Sequence, residues 1–144
     1  MMSKALFEGE QLYQLIPQRP PMVMVTHLFK ATETEAETAL QISPDNCFCS
    51  NNRFTEPGLI EHIAQSAAAF AGYPHYLAGK KAPLGFIGEI RKFAAYCLPE
   101  AGSMIRTRIE VVSEIMGVTL IQAETTLNGE KVASCQMKIF IQND

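Results

Sequence analysis

Alternation dominates the second half of the chain. Ile105, Thr107, Ile109 and Val111 alternate with Arg106, Arg108 and Glu110, the period of a strand with one buried and one wet face. A Met116-Gly117 turn leads into another strand, Val118 to Leu127. Asn128-Gly129 follows as a two-residue hairpin signal, since both residues tolerate positive φ. The last strand puts Ala133, Cys135, Met137, Ile139 and Ile141 on one face, and Phe86 to Ala95 is a further candidate. These segments predict an antiparallel meander.

The first half is more mixed. Phe7 to Ile16 predicts a short amphipathic helix with Leu12, Leu15 and Ile16 on one side, ended by Pro17, Pro20 and Pro21. The run Met22 to Phe29 reads as a buried strand. Ala36, Thr38, Leu40 and Ile42 alternate with Glu35, Glu37, Ala39 and Gln41 in a second strand, and residues 44–55 are loop-like. A helix follows from Pro57 to about Tyr73, with Thr55 or Glu56 as its cap and Gly72 and Pro74 at its end. It carries Ala64, Ala67, Ala68, Ala69 and Ala71, small residues that let a sheet approach closely. The order predicts an α+β fold, one long helix against an antiparallel sheet.

With 144 residues, of which 47% are hydrophobic, the chain suits one domain, 1–144, with a real core. A net charge of -3 leaves no basic footprint for nucleic acid. No apolar run approaches the roughly 20 residues of a membrane span. Met1 to Ala5 lack the layout of a signal peptide, so the expected location is cytoplasmic. Cys47 and Cys49 form a C-x-C pair while Cys97 and Cys135 stand apart. That spacing does not make a metal site, and Cys135 falls in an apolar alternation as a small hydrophobe. No cofactor is expected.

Four stretches together carry a family resemblance. Leu15-Ile16-Pro17-Gln18-Arg19-Pro20-Pro21-Met22, Glu56-Pro57-Gly58-Leu59-Ile60-Glu61-His62-Ile63-Ala64-Gln65, Leu98-Pro99-Glu100-Ala101-Gly102-Ser103 and Asn128-Gly129-Glu130-Lys131-Val132-Ala133 occur in this order. They resemble motifs of the β-hydroxyacyl-acyl-carrier-protein dehydratases, and the helix motif is the specific one. The resemblance implies a hotdog fold, in which a curled antiparallel sheet wraps one long central helix. Gly85-Phe86-Ile87-Gly88-Glu89-Ile90-Arg91-Lys92-Phe93 resembles a divergent branch, the dehydratase-like proteins of bacterial aryl-polyene and pigment clusters. In the family a catalytic histidine precedes the long helix. Counted back without gaps from Gly58 that position is Cys49, and no histidine lies between Ser43 and Glu61. Gln18 likewise stands where the family has a histidine. The acid of the dyad is present as Glu61 and the base is missing.

Dehydration of a β-hydroxyacyl thioester needs a base beside the carbonyl, an acid for the leaving hydroxyl and a group that polarises the thioester oxygen. A helix N-terminus supplies the third, and Gly58 lets substrate approach that backbone. Glu61, one turn in, suits the acid role in an apolar pocket; alternatively it is a carboxylate that favours the helix dipole. Gln65, a turn further on, holds Glu61, binds a substrate group or bonds a buried carbonyl. His62 points about 100° away from its neighbour and is expected to be a satisfied, partly buried histidine, while His27 and His75 are expected to be structural or exposed. Phe54, Phe86 and Gly88 are the candidate substrate contacts around an apolar tunnel.

The resemblance implies a dimer whose sites draw histidine and carboxylate from different subunits. The expected assembly is therefore a homodimer, or a heterodimer with a histidine-bearing dehydratase subunit. The substrate is expected on an acyl carrier protein or coenzyme A. Carrier protein is acidic, so Lys80, Lys81, Arg91 and Lys92 are candidate docking residues, with Arg53 beside them. A thioesterase using Glu61 to activate water or attack the thioester, and a non-catalytic partner subunit, are the alternatives.

Overall fold

The structure is a computed structural model that describes residues 4–142, with backbone alone at Leu84, Phe86, Ile141 and Gln142. Its strands are β1 (Phe7–Glu8), β2 (His27–Ala31), β3 (Glu35–Gln41), β4 (Cys49–Ser50), β5 (Arg53–Phe54), β6 (Leu84–Ala95), β7 (Met104–Ile115), β8 (Val118–Leu127) and β9 (Glu130–Gln142). Seven of them form one antiparallel sheet in the order β1-β2-β3-β7-β8-β9-β6, while β4 and β5 pair as a small hairpin. Helix α1 (Glu56–Leu77) touches β2, β3 and β7 and also the far edge strand β6. The sheet therefore curls around the helix, the α+β layout that the sequence pattern predicts.

The meander forms as expected. Met116 and Gly117 have φ of 53° and 81°, and Asn128 and Gly129 have 52° and 84°. Two successive positive φ values make the tight turn whose twist matches the flanking strands. Along β7, Ile105, Thr107 and Ile109 are buried while Arg106, Arg108 and Glu110 are exposed. The inward residues of β8 and β9, including Ile121, Ala123, Cys135 and Met137, join Ile63, Ala67 and Ala69 of α1 in one apolar core.

Three boundaries differ from the sequence reading. Phe7–Glu8 pairs with β2, and Gly9–Gln14 is a 3-10 turn rather than an α-helix. Gly9 at φ 61° breaks the run early, which leaves too few residues for a stable α nucleus. Leu12, Leu15 and Ile16 are buried all the same.

The apolar run from Met22 becomes strand only at His27. Upstream of it, the backbone of Met22 and Met24 is bonded to side chains of α1 instead of a neighbouring strand. The third difference is the helix end, since α1 continues through Pro74 to Leu77. Pro74 is exposed, and the His75 ring donates to the Ala71 carbonyl at 3.2 Å, which supports the turn that proline weakens. Gly72 serves packing: a Cβ there would lie 2.7 Å from the Leu15 carbonyl oxygen.

Strand β6 closes one edge of the sheet and has no second neighbour among the described residues. It exposes Ile87 and Ile90. No described helix is long and apolar enough to cross a membrane.

Candidate active site

The site is built on the first turns of α1. The helix begins at Glu56 with Thr55 in the cap position, so Glu61 lies in its second turn rather than its first. The Thr55 hydroxyl does not cap the helix and donates to the Phe48 carbonyl at 2.6 Å. Aromatic packing closes the helix start instead. A Cβ on Gly58 would meet Phe54 ring carbons at 2.7 Å and Phe48 Cβ at 2.8 Å, so the glycine makes room for those side chains. Phe54 is fully buried in a second core cluster with Met24, Leu40, Leu59 and Ile105.

Gln65 fixes the carboxylate. Its Nε2 donates to Glu61 Oε2 at 2.8 Å and to the Met22 carbonyl at 2.7 Å. Its Oε1 accepts from the Met24 N–H at 2.6 Å. All three contacts lie within the chain, so this buried amide ties Glu61 to the loop that carries Met22 and Met24. Glu61 Oε1 has no hydrogen-bond partner among the described residues. Because the dipole effect fades within the first turn, Glu61 is held by the Gln65 amide more than by the helix terminus.

His62 faces the other way. It is fully buried, with Nδ1 donating to the Met24 carbonyl at 2.7 Å and Nε2 2.8 Å from Thr107 Oγ1. Burial pushes its imidazolium down to about 4, so the ring is neutral at pH 7. The Met24 carbonyl can only accept, which puts the proton on Nδ1 and makes Thr107 the donor to Nε2. Thr107 then accepts from Thr125 at 2.6 Å. Ser66 donates to the His62 carbonyl at 2.8 Å and contacts Thr38 at 2.7 Å. This polar seam lies inside the sheet and satisfies itself, which makes His62 structural.

A groove of ≈ 680 Å³ runs from Glu61 along the alanine face of α1. Ala64, Ala67, Ala68 and Ala71 form its floor, and Leu15, Ile16, Pro83, Ile87 and Ile139 supply apolar walls. Tyr13, Gln14, Gln18, Arg19 and Lys81 are the polar residues that line it besides Glu61. Arg19 is spent on shaping the wall, since its guanidinium donates to the carbonyls of Ile16 at 2.9 Å, Gln18 at 2.7 Å and Tyr13 at 3.2 Å. The sequence showed the alanines as a packing surface; that they also floor a groove depends on the loop of residues 13–19, which periodicity does not place.

The remaining candidates are dispersed. Gly58 and Phe54 lie at the helix start, outside the groove lining. The side chain of Phe86 lies outside the described residues, and Gly88 sits in a β6 bulge beneath the Phe140 ring. Lys81 lines the groove and Lys80 is exposed beside it. Arg91 pairs with Glu89 at 3.1 Å, and Arg53 with Glu100 at 3.6 Å. Lys92 is exposed, with φ 53° in a second β6 bulge. Cys49, the counted position of the family histidine, is half-buried in β4 and not part of the groove lining. Burial, and then the neighbouring Cys47, push its thiol up, which disfavours a thiolate nucleophile. Among the described residues no cluster of three or more His, Cys, Asp or Glu side chains could hold a metal ion.

Known proteins bear on this geometry. A 3-hydroxyacyl-[acyl-carrier-protein] dehydratase FabZ of Histophilus somni strain 2336 is 26% identical over 142 residues, covering 94% of this chain and 91% of that protein. Among solved structures, the dehydratase heterocomplex ApeI:P from Xenorhabdus doucetiae superposes with a TM-score of 0.83 at 14% identity, over 92% of this chain and 91% of that one. A hypothetical thioesterase protein with coenzyme A from Streptococcus pneumoniae TIGR4 follows with a TM-score of 0.66 at 8% identity, over 82% of this chain and 86% of that one. At such identities the structural likenesses establish the hotdog fold alone. The family model described as ApeP-like, ApeP dehydratase, matches residues 10–144, and the chain belongs to this family of hotdog dehydratases.

Proposed function

We propose that this chain is one half of a heteromeric 3-hydroxyacyl thioester dehydratase, with Glu61 as the acid and a partner subunit's histidine as the base. The carrying observation is the Glu61 carboxylate, fixed by Gln65 at 2.8 Å and lining an apolar groove, in a chain with no histidine between Ser43 and Glu61. The base takes the proton beside the carbonyl, and that electron pair becomes the new double bond. The C–O bond at carbon 3 breaks as Glu61 delivers its proton, and water leaves. Gly58, buried under Phe48 and Phe54 and outside the groove lining, is not the group that meets the thioester oxygen.

Partner completion has support in the fold. Gly85 and Ile87 of edge strand β6 line the groove, so a second subunit that pairs with this edge sits beside Glu61. Exposed Ile87 and Ile90 give that edge an apolar surface to bury. The likeness to one heteromeric dehydratase agrees with this arrangement. On this reading Phe86 and Gly88 border the substrate from the same strand. Lys80 and Lys81 meet an acidic carrier protein, or the phosphates of coenzyme A, at the groove mouth, with Arg91 and Lys92 further along the edge.

Product analysis tests the reading. The chain is incubated with 3-hydroxyacyl and saturated acyl thioesters, alone and with a histidine-bearing dehydratase subunit. Enoyl thioester formed only in the mixture is the expected result. Free thiol would assign thioester hydrolysis instead, and full dehydration by the isolated chain would remove the half-site.

A further inference from the structure

We infer that Gln65 is a positioning residue that keeps the transferable proton of Glu61 on Oε1, the carboxyl oxygen left free for the substrate. This inference rests on the dehydratase reading and adds a residue to it. Gln65 is fully buried, and its neighbours give its carboxamide a single orientation. The Met24 N–H, 2.6 Å away, can only donate, so the atom facing it is Oε1. The Met22 carbonyl, 2.7 Å away, can only accept, so the atom facing it is Nε2. Both backbone residues are themselves held. The Met24 carbonyl accepts from His62 Nδ1 at 2.7 Å, and the Met22 N–H donates to the Arg19 carbonyl at 2.9 Å.

That orientation decides where Glu61 carries its proton. Nε2 has two hydrogens; one goes to the Met22 carbonyl and the other to Glu61 Oε2 at 2.8 Å. A proton on Oε2 would set a second donor against that N–H. As the carbonyl oxygen of the acid, Oε2 accepts it instead, and the proton sits on Oε1. Oε1 has no partner among the described residues. It is not sealed in either, since Gln18 Oε1 is the one buried unpaired side-chain oxygen among those residues. Of the polar side chains that line the groove, Glu61 alone is bonded to Gln65 among the described residues.

When the proton passes from Oε1 to the 3-hydroxyl group, the C–O bond breaks, water leaves and the Glu61 carboxylate remains. The Gln65 bond to Oε2 is then charge-assisted and roughly twice as strong as its neutral form. It therefore stabilises Glu61 most as the proton is given up. With both hydrogens engaged, Gln65 has none to donate to the substrate.

Two leaving groups test this in the complex of the full chain with a histidine-bearing dehydratase subunit. The substrates are pantetheine thioesters of one chain length, bearing a 3-hydroxyacyl or a 3-chloroacyl group. Chloride departs without a proton, so only the hydroxy substrate needs the acid. Gln65→Met is expected to lower kcat for the hydroxy substrate about 10–100-fold with KM unchanged, and to leave the chloro substrate at the unaltered rate. Gln65→Asn keeps an amide in the buried seat but draws it back by one carbon; it is expected to behave alike and serves if Gln65→Met does not fold. Equal loss on both substrates, or no loss on the hydroxy one, overturns the role of Gln65. Glu61→Gln keeps the two readings apart, because the dehydratase reading requires it to slow the hydroxy substrate alone. A hydroxy rate unchanged in Glu61→Gln, or an unaltered complex that forms no enoyl thioester, sinks both.

Discussion

Two neighbouring residues of α1, Glu61 and His62, have opposite fates because they face different sides. Glu61 is half-buried on the groove side, while His62 is sealed against the sheet and neutral. Neutral burial has a consequence for acid stability. The histidine's ordinary value of 6.5 is pushed down to about 4 in the folded chain, so the unfolded chain binds this proton more readily between those limits. Stability from His62 is full above pH 6.5 and is lost as pH falls toward 4, by at most roughly 3 kcal/mol at about 1.4 kcal/mol per unit. Thermal melts at pH 7 and pH 4.5 are expected to differ less in His62→Gln than in the unaltered protein; an unchanged difference would assign the acid sensitivity elsewhere. At this scale much was visible in the sequence. Gln65 stands four residues after Glu61, so their contact follows from helical spacing. The partners Thr107 and Thr125 of His62 were not visible, because strand pairing over such separations leaves no local pattern.

Elements were legible where one period ran undisturbed. The β7–β9 meander and the two hairpin turns follow from alternation and from the Met116-Gly117 and Asn128-Gly129 pairs. The run from Met22 is strand only from His27 onward, because apolar composition reports burial and not the identity of the hydrogen-bond partner. That partner is α1, through Gln65 and His62. Helix α1 itself is fixed at its start by aromatic packing on Gly58. A methyl group there meets the Phe54 ring and Phe48 Cβ at under 3.0 Å; Phe54 is fully buried and Phe48 packs against the same cluster. Gly58→Ala is therefore expected to destabilise the protein by about 1–3 kcal/mol, despite the better helix propensity of alanine. Denaturant melts check this, and an unchanged or raised midpoint would show that the rings relax freely.

At the scale of the whole molecule, the curled sheet leaves one long edge, β6, beside the groove that holds Glu61. The sequence offers Glu61 at the helix start and no histidine between Ser43 and Glu61. The groove and the edge next to it were not legible there, because both depend on how the sheet closes around α1. If a partner contributes the histidine and this chain the acid, each pair contains one complete site, and that site depends on Glu61. The most direct measurement is enoyl thioester formation by the complex of this chain with its histidine-bearing partner, with and without Glu61→Gln. The expected result is a loss of about 100-fold or more in rate with the complex still assembled. An intact Glu61→Gln complex that turns over at the unaltered rate would contradict the role assigned to this chain.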